Sequence, residues 1–241
     1  MDKLELSPKL TDYLKKIENE AGCEISFRQT NDLQPSGMRF AFRYDPSDIV
    51  VVTTNINIVT PEDEISIAHE ATHGFLINKL GYCHPVFNRP PTASETLYIG
   101  LIGNMIDDIV VNKLIHQEGF AAFSPTYISM VEKEIEATNR GSEECYKEFF
   151  FDPTLKDRFM VFRYVLAWGF NRYFDLEPHA KRTVRMFVSS FRKAFKKQLG
   201  SAKRITDLIS QNDIFTPEGH RKVYEGVLKL WQLEDRVELK D

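Results

Sequence analysis

Hydrophobic and polar positions along the chain predict an N-terminal helix, a few short strands and then helices to the end. Five prolines each follow a side chain that can accept a hydrogen bond. These pairs are Ser7-Pro8, Thr60-Pro61, Ser124-Pro125, Asp152-Pro153 and Thr216-Pro217. An accepting side chain at the N-cap satisfies free amides of the first turn, and proline is tolerated at the first helical position. Each pair therefore predicts the start of a helix.

Glycines and β-branched residues complete the predicted element order. Helix ends are expected at Gly22, Gly81, Gly119, Gly141 and Gly200, because glycine accepts the left-handed conformation that closes many helices. Strands are expected at Cys23 to Gln29, Met38 to Tyr44 and Ile49 to Ile58, with residues 31–37 as a hairpin loop. The predicted fold class is α+β, predominantly helical, with a small N-terminal antiparallel or mixed sheet of about three strands.

The chain is expected to form a single domain over residues 1–241, because no repeat or linker divides it. Within this domain we expect the N-terminal helix and sheet over residues 1–60, metal-binding helices over residues 61–116 and a helical subdomain over residues 117–241.

Composition narrows the class of protein. The 241 residues are 42% hydrophobic and 27% charged, with a formal net charge of −4. These values are typical of an ordinary globular protein and argue against disorder and against general nucleic-acid binding. No signal peptide or membrane span is evident, so a cytoplasmic location is expected.

Residues 69–73 read His-Glu-Ala-Thr-His, the pattern H-E-x-x-H. Two histidines four positions apart lie on one face of a helix, one turn apart, so both imidazoles can bind one zinc ion. Glu70 lies close by on the same helix, where it can act as general base on a water bound to that ion.

The helix that carries this pattern is predicted on independent grounds. Thr60-Pro61-Glu62-Asp63 is close to a capping box, and apolar residues follow at helical spacing as far as Gly81. Gly74, directly after the second histidine, would leave room for a neighbouring element to approach closely.

A catalytic zinc ion takes three protein ligands, so a third must come from elsewhere in the chain. Asp108 lies on a helix predicted over about Ala93 to Ile115, which is apolar on most sides and should be buried. Asn104, Asp108 and Asn112 form a polar stripe on this helix, and buried polar groups need partners. A metal with its histidine ligands would supply them. This favours Asp108, with Asn112 orienting a ligand.

Other candidates for the third ligand remain open. His84 lies in the loop 81–85, and Glu95 lies at the start of the helix that carries Asp108. For Asp107 we expect a helix face that reaches solvent or a capping contact.

These residues together resemble a zincin metallopeptidase and, more narrowly, a gluzincin. In gluzincins a second helix carries an acidic ligand that is followed four residues later by Asp or Asn, and Asp108 and Asn112 match this pattern. The usual ligand is Glu, so Asp shortens the reach by one methylene. The D-x-x-x-N form is similar to that of the minimal gluzincins. The resemblance covers residues 48–116, under a third of the chain.

The resemblance implies a zinc-dependent peptidase that hydrolyses peptide bonds of a peptide or protein substrate. His69, His73 and Asp108 would bind the zinc ion, and Glu70 would be the catalytic general base. It also implies that Ile49 to Ile58 is the edge strand that pairs with an extended substrate. Tyr164, Tyr173, His179 and His220 are candidates for stabilising the oxyanion.

Three other functions compete with this one. The chain could be a metal-binding, non-proteolytic regulatory protein, or a DNA-associated SprT-like protease that uses His84 and the basic helix 181–204. It could also be a helical interaction module. Residues 178–206 contain nine Lys or Arg and no acidic residue. This pattern is typical of a core-facing helix with a solvated basic side, or of contact with an acidic partner, with nucleic acid or with an anionic membrane surface.

Overall fold

The computed structural model describes residues 5–30, 39–45, 47–54, 58–121, 125–149 and 151–241. The chain divides into two compact units. The first unit comprises residues 1–82, 114–124 and 241, and the second comprises residues 83–113 and 125–240. None of the described helices is both long enough and apolar enough to cross a membrane.

The described residues form eight α-helices, one 3-10 turn and five short strands, which confirms the predicted helical α+β class. The first elements are α1 (Pro8–Ala21), β1 (Ile25–Gln29), β2 (Phe40–Arg43), β3 (Ile49–Thr53), α2 (Pro61–Asn78), β4 (His84–Phe87) and α3 (Ala93–Gln117). The later elements are α4 (Pro125–Asn139), the 3-10 turn (Glu144–Phe149), α5 (Pro153–Tyr173), α6 (Pro178–Ala194), α7 (Lys196–Gln211), α8 (Pro217–Leu230) and β5 (Val237–Lys240).

Helices α1, α2, α4, α5 and α8 begin at the five prolines that predicted them. The cap of α2 is a complete capping box. The Thr60 hydroxyl oxygen accepts from the Asp63 amide at 3.2 Å, and the Asp63 carboxylate accepts from the Thr60 amide at 2.7 Å. Such caps satisfy amides that the helix itself leaves unpaired. Ser124, the predicted cap of α4, lies outside the described residues.

Four of the five predicted helix-ending glycines have a positive φ, between 65° and 82°. The fifth prediction was wrong, because Gly200 lies inside α7 and the preceding helix ends at Ala194. A glycine in a helix interior costs only about 1 kcal/mol relative to alanine. The packing of buried residues of α7, such as Ala202 and Ile205, can offset a cost of this size.

The first sheet has the order β1-β3-β2, with β3 parallel to β1 and antiparallel to β2. The predicted hairpin between the first two strands was therefore wrong, and its loop, residues 31–37, lies outside the described residues. The predicted edge strand was also wrong. β3 is the central strand, because its Ile-Val-Val-Val-Thr sequence is the most apolar of the three and is buried along most of its length. Residues 55–57 of that prediction are not described.

The core of the first unit packs α1 and α2 against the sheet. Leu10, Leu14 and Ile17 of α1 share this core with Ile49, Val51, Ile67, Ala68 and Ala71. Each fully buried Leu, Ile or Val side chain contributes about 1.5–3 kcal/mol to the free energy of folding. This packing holds α2 against the strands.

Gly74 is where α2 approaches the sheet most closely, which confirms the expectation for this glycine. A Cβ atom at this position would lie 2.6 Å from Cγ2 of Ile49 and 3.0 Å from the ring of Phe42. Only glycine fits this contact.

In the second unit, α6 packs on both α4 and α5, and α5 also packs on α7. Glu134 of α4 and Arg163 of α5 form an ion pair at 2.8 Å inside this core, where both are almost fully buried. The prediction of helices to the C-terminus was wrong at the last element, because β5 pairs antiparallel with β4. Strands of four residues are too short to show a clear alternation of polar and apolar positions.

Candidate metal centre

The two histidines of the H-E-x-x-H pattern lie on one face of α2, as their spacing predicts. Their Nε2 atoms are 3.0 Å apart, and their ring centroids are 4.7 Å apart. Both side chains are half-buried. The two imidazoles therefore point at one common position from consecutive turns of the helix.

A buried pair of hydroxyl groups fixes the turn between these histidines. Thr72 donates to the carbonyl of Ala68 at 2.6 Å, and its hydroxyl lies 2.7 Å from that of Tyr13. Because Thr72 has only one hydroxyl hydrogen, Tyr13 must be the donor to Thr72. Burial raises the pKa of Tyr13 to about 12, which keeps this donor protonated.

β2 contacts both Glu70 and His73 through Phe42. The Phe42 amide donates to a Glu70 carboxylate oxygen at 2.6 Å, and its ring stacks on the His73 imidazole with centroids 6.3 Å apart. The carbonyl of Arg39 accepts from the amide of Thr54 beside β3. The backbone groups of successive strand residues point alternately to the two sides of the strand. Those of Arg39 point towards β3, so those of Phe42, three positions later, point away from β3 and towards Glu70.

His69, His73 and Asp108 form a cluster that could hold a metal ion. Each offers one ligand atom, and these three atoms all lie within 4.8 Å of one another. All three side chains are half-buried. Within the part of the chain that the structure describes, neither His84 nor Glu95 belongs to such a cluster.

The polar stripe on α3 is less uniform than the sequence suggests. Asn112 is buried and donates to the backbone carbonyl of Asp108 at 2.6 Å, whereas Asn104 is exposed. The expectation that the whole stripe is buried was therefore wrong at Asn104. Asn112 holds the helix turn that carries Asp108.

The Asp107 side chain is 19% exposed, and its carboxylate contacts two side chains of α8 in place of the expected capping contact. Its carboxylate lies 2.7 Å from Nε2 of His220 and accepts from the Tyr224 hydroxyl at 3.1 Å. Burial is the main reason that the pKa of Tyr224 lies well above its usual value. The negative charge of Asp107 raises this pKa further. Nδ1 of His220 lies 3.6 Å from the sulfur of Cys83. This network joins α8 to α3 at the residue next to Asp108.

The other two candidates for the third ligand lie elsewhere in the second unit. His84 opens β4, opposite Lys240 of β5, and is buried. Glu95 accepts from the Thr92 amide at 2.8 Å and pairs with Arg89 at 2.8 Å. The pKa of Glu95 lies below its usual value, chiefly because the Thr92 amide donates to its carboxylate. The positive charges of the nearby arginines lower this pKa further.

Three of the four oxyanion candidates have polar atoms with other partners. Tyr164 is buried and accepts from Nε of Arg192 at 2.7 Å. His179 is exposed and lies 3.1 Å from Glu132. His220 is buried beside Asp107, as described above. The fourth, Tyr173, packs its ring against Phe215.

Sequence reasoning missed Tyr13 and Phe42, two residues that support the histidine helix. Tyr13 meets Thr72 across 59 positions of the chain, and Phe42 meets Glu70 across 28. Neither has a local pattern that distinguishes it from an ordinary core aromatic, so only the tertiary contact identifies it.

Comparisons with known proteins add nothing to this geometry. No family model, no curated protein and no solved structure matches the chain. A function must therefore be argued from the residues themselves.

Proposed function

We propose that this protein is a zinc-dependent peptidase. The observation that supports this most strongly is the cluster of His69, His73 and Asp108, whose ligand atoms lie within 4.8 Å of one another. Two imidazoles and one carboxylate are a ligand set that zinc hydrolases use when a fourth position stays open. Glu70, in the same helix turn, adds the acid–base group that such hydrolysis needs.

The donor set fits a zinc ion. Two nitrogens bound to one tetrahedral zinc ion lie about 3.3 Å apart when each Zn–N bond is about 2.0 Å long. The Nε2 atoms of His69 and His73 are 3.0 Å apart, which is close to this value. Hard cations such as Mg²⁺ prefer sites made wholly of oxygen atoms, so the two imidazoles favour zinc.

Zinc bound here would act as a Lewis acid that polarises a peptide carbonyl and lowers the pKa of water. Glu70 would accept the proton of the attacking water and return it to the leaving amine. Only one of its carboxylate oxygens is held by the Phe42 amide, so the carboxylate is oriented while the other oxygen can take the proton.

The outer edge of β2 is the surface on which an extended substrate would lie. Among the described residues, β2 pairs only with β3. The backbone carbonyl of Phe42 points away from β3, on the side where Glu70 lies. This carbonyl oxygen could accept a hydrogen bond from the amide of an added strand. β2 thus takes the role that the sequence had suggested for Ile49 to Ile58.

A matched pair of variants tests this proposal. The chain is loaded with zinc and incubated with an unfolded protein and with a mixture of fluorogenic peptides. Glu70→Gln should retain about one zinc per chain and lose peptidase activity by at least 10²-fold, on the order of what general-base catalysis contributes. Glu62→Gln, a same-helix change in the first turn of α2, should retain both.

A metal-binding protein without peptidase activity is the second candidate. It is favoured by the 2.6 Å contact between Glu70 and the Phe42 amide, which also suits a glutamate that only anchors the edge strand. This candidate predicts that the wild type binds zinc and cleaves nothing, and that Glu70→Gln lowers stability without changing metal content. An absence of zinc binding by the wild type would contradict both candidates.

A further inference from the structure

The second unit carries a basic groove that the proposed peptidase chemistry does not use. Helix α6 and the first part of α7 lie within residues 178–206, which contain nine Lys or Arg and no Asp or Glu. The apolar face of α6, including Val184, Phe187 and Phe191, is buried in the unit. The exposed side of α6 carries cations, among them Arg185, Arg192 and Lys193, and this side forms a basic surface.

Part of this surface is concave. A cavity of about 430 Å³ is lined by Trp168 and Asn171 of α5 and by Arg185, Arg192, Lys193 and Lys196. A neighbouring cavity of about 360 Å³ shares Arg185 and adds Lys181 and Arg182. No carboxylate lines either cavity. We call the first cavity the α6 groove.

The cations that line the α6 groove have no acidic partner among the described residues. Lys181 and Lys197, on either side, pair with Asp175 at 3.6 Å and with Asp157 at 2.7 Å. Within the described ranges, Arg185, Arg192, Lys193 and Lys196 have no carboxylate within ion-pair distance.

The two arginines are nevertheless held in position. Nε of Arg185 donates to the Asn171 side chain at 3.1 Å, and Nε of Arg192 donates to the Tyr164 hydroxyl at 2.7 Å. Each guanidinium has five N–H donors, so each keeps its terminal NH₂ groups for a ligand. Fixed guanidinium groups without an acid partner suit a phosphate.

The indole of Trp168 adds a flat apolar surface among these cations. It is half-buried, and the Tyr173 ring meets it at 90° with centroids 6.0 Å apart, which fixes its orientation. Cations along a groove with an aromatic side chain in it are the combination by which proteins bind single-stranded nucleic acid. The phosphates meet the cations while a base stacks on the ring.

Other anionic partners fit less well. A membrane surface would require exposed apolar side chains on the helix, but those of α6 are buried, and within this fully described helix only Met186 is a large exposed hydrophobic residue. An acidic peptide would use the cations but not the indole.

We propose that the α6 groove binds single-stranded nucleic acid, with phosphates on Arg185, Arg192, Lys193 and Lys196 and one base against Trp168. This binding needs no metal ion. It therefore stands or fails independently of the peptidase proposal.

The test measures binding of a fluorescein-labelled 12-nucleotide oligothymidylate to the full chain by anisotropy, at NaCl concentrations from 25 to 200 mM. Four phosphate contacts predict that log K falls with log[NaCl] with a slope of about −3, at about −0.7 per contact with a single strand. Chelator-treated and zinc-loaded protein should bind equally. No binding at 25 mM NaCl would overturn the proposal.

Two charge-reversal variants separate the groove from general electrostatics. Lys193→Glu/Lys196→Glu changes two groove residues, and Lys203→Glu/Arg204→Glu makes the same change of charge at exposed positions of α7 outside the groove. The first should weaken binding at least about 10-fold and reduce the slope by about 1.4. The second should change affinity less than about 3-fold. Equal losses in both variants would overturn the assignment to the groove.

Intrinsic fluorescence tests the stacking of a base. The chain has two tryptophans, and the other, Trp231, is buried beside Arg158. Unlabelled oligothymidylate should quench the fluorescence of the wild type and of Trp231→Phe but not of Trp168→Phe. Trp168→Ala should weaken binding about 5- to 150-fold, the fold-change for one stacked base. Thermal melting of each variant checks that it is folded.

A competitor distinguishes the ligand class. A polyglutamate peptide of equal charge should displace the oligonucleotide at least about 10-fold less effectively, since it cannot stack on Trp168. Equal competition by this peptide, or by phosphatidylserine vesicles, would overturn the nucleic-acid proposal in favour of a general anion surface.

Discussion

Helices α2 and α6 carry the two candidate sites, and they differ in how the protein holds their polar side chains. In α2, Glu70 and Thr72 are bonded within the first unit, and both histidines are half-buried. In α6, Arg185, Arg192 and Lys193 are exposed and lack acid partners among the described residues, whereas Lys181 pairs with Asp175. Metal coordination depends on distances fixed to a few tenths of an ångström, whereas attraction of an anion depends on uncompensated charge. The metal site therefore needs side chains that packing holds in place, whereas the α6 groove needs charges that no acidic group neutralises.

The largest effect that would separate the two sites is expected when one metal ligand is removed from α2. His73→Ala should lower zinc affinity at least about 100-fold, more than the loss of a residue that only orients a ligand. Zinc at 100 times its Kd should stabilise the wild type by about 2.7 kcal/mol, and this gain should vanish in the variant. Metal titration followed by thermal melting measures both effects.

The exposed His179 provides the control for this loss. It lies on α6 with an exposed side chain, so His179→Ala should leave zinc affinity unchanged. If both histidine variants lost zinc to the same extent, binding would not be located at α2.

Gly74→Ala should destabilise the first unit, because its Cβ would lie 2.6 Å from Ile49 and something must shift. Overpacking of this kind costs about 1–3 kcal/mol. Urea denaturation of the zinc-free chain measures the change without a contribution from metal. A neutral result would show that α2 is not pressed against the sheet.

Tyr13→Phe should cost about 1 kcal/mol near neutral pH, because Thr72 loses its donor. The same change should reduce the sensitivity to alkali. Burial raises the pKa of Tyr13 to about 12, so the folded state holds the phenol neutral above the pH at which the unfolded chain ionises it. The free energy of unfolding of the wild type is therefore highest below about pH 10. It should fall by on the order of 2 kcal/mol as the pH rises to about 12.

Urea midpoints of Tyr13→Phe and wild type, compared from pH 8 to pH 11, measure this difference. The two curves should converge as the pH rises. Parallel curves would mean that the Tyr13 hydroxyl is not buried against Thr72.

Gly200→Ala should give the smallest effect and the opposite sign to Gly74→Ala. Gly200 lies inside α7, and no atom lies within 4 Å of a Cβ placed there. Alanine should therefore stabilise the second unit by about 0.5–1 kcal/mol. A rise in the melting temperature checks this, and a fall would show a close contact at this position.

Local patterns were sufficient at most positions where the physical cause is local, with Gly200 as the exception. Proline after an accepting side chain predicted the starts of five helices, because capping involves only three or four neighbouring residues. The spacing of His69 and His73 predicted that they share one face, because four residues make about one turn. Asp108 was favoured by the cost of burying a carboxylate, and it belongs with the two histidines to the cluster that could hold a metal ion.

Local patterns failed wherever distant segments compete. The position of β3 between β1 and β2 depends on which strand is buried most completely, so the hairpin and the edge strand were both predicted wrongly. Asp107 shows the same limit, because His220 and Tyr224 come from a helix more than 100 positions away.

The sequence alone determined the helical α+β class, the paired histidines on α2 and the excess of positive charge in residues 178–206, since these depend on composition and spacing. Only the tertiary structure decided that Asp108 belongs with the histidines to a cluster that could hold a metal ion, that Phe42 donates to Glu70 and that Trp168 lines the α6 groove. The physical reason is that each of these contacts joins segments far apart in the chain. Packing of the whole core selects such contacts, and no local sequence pattern encodes them.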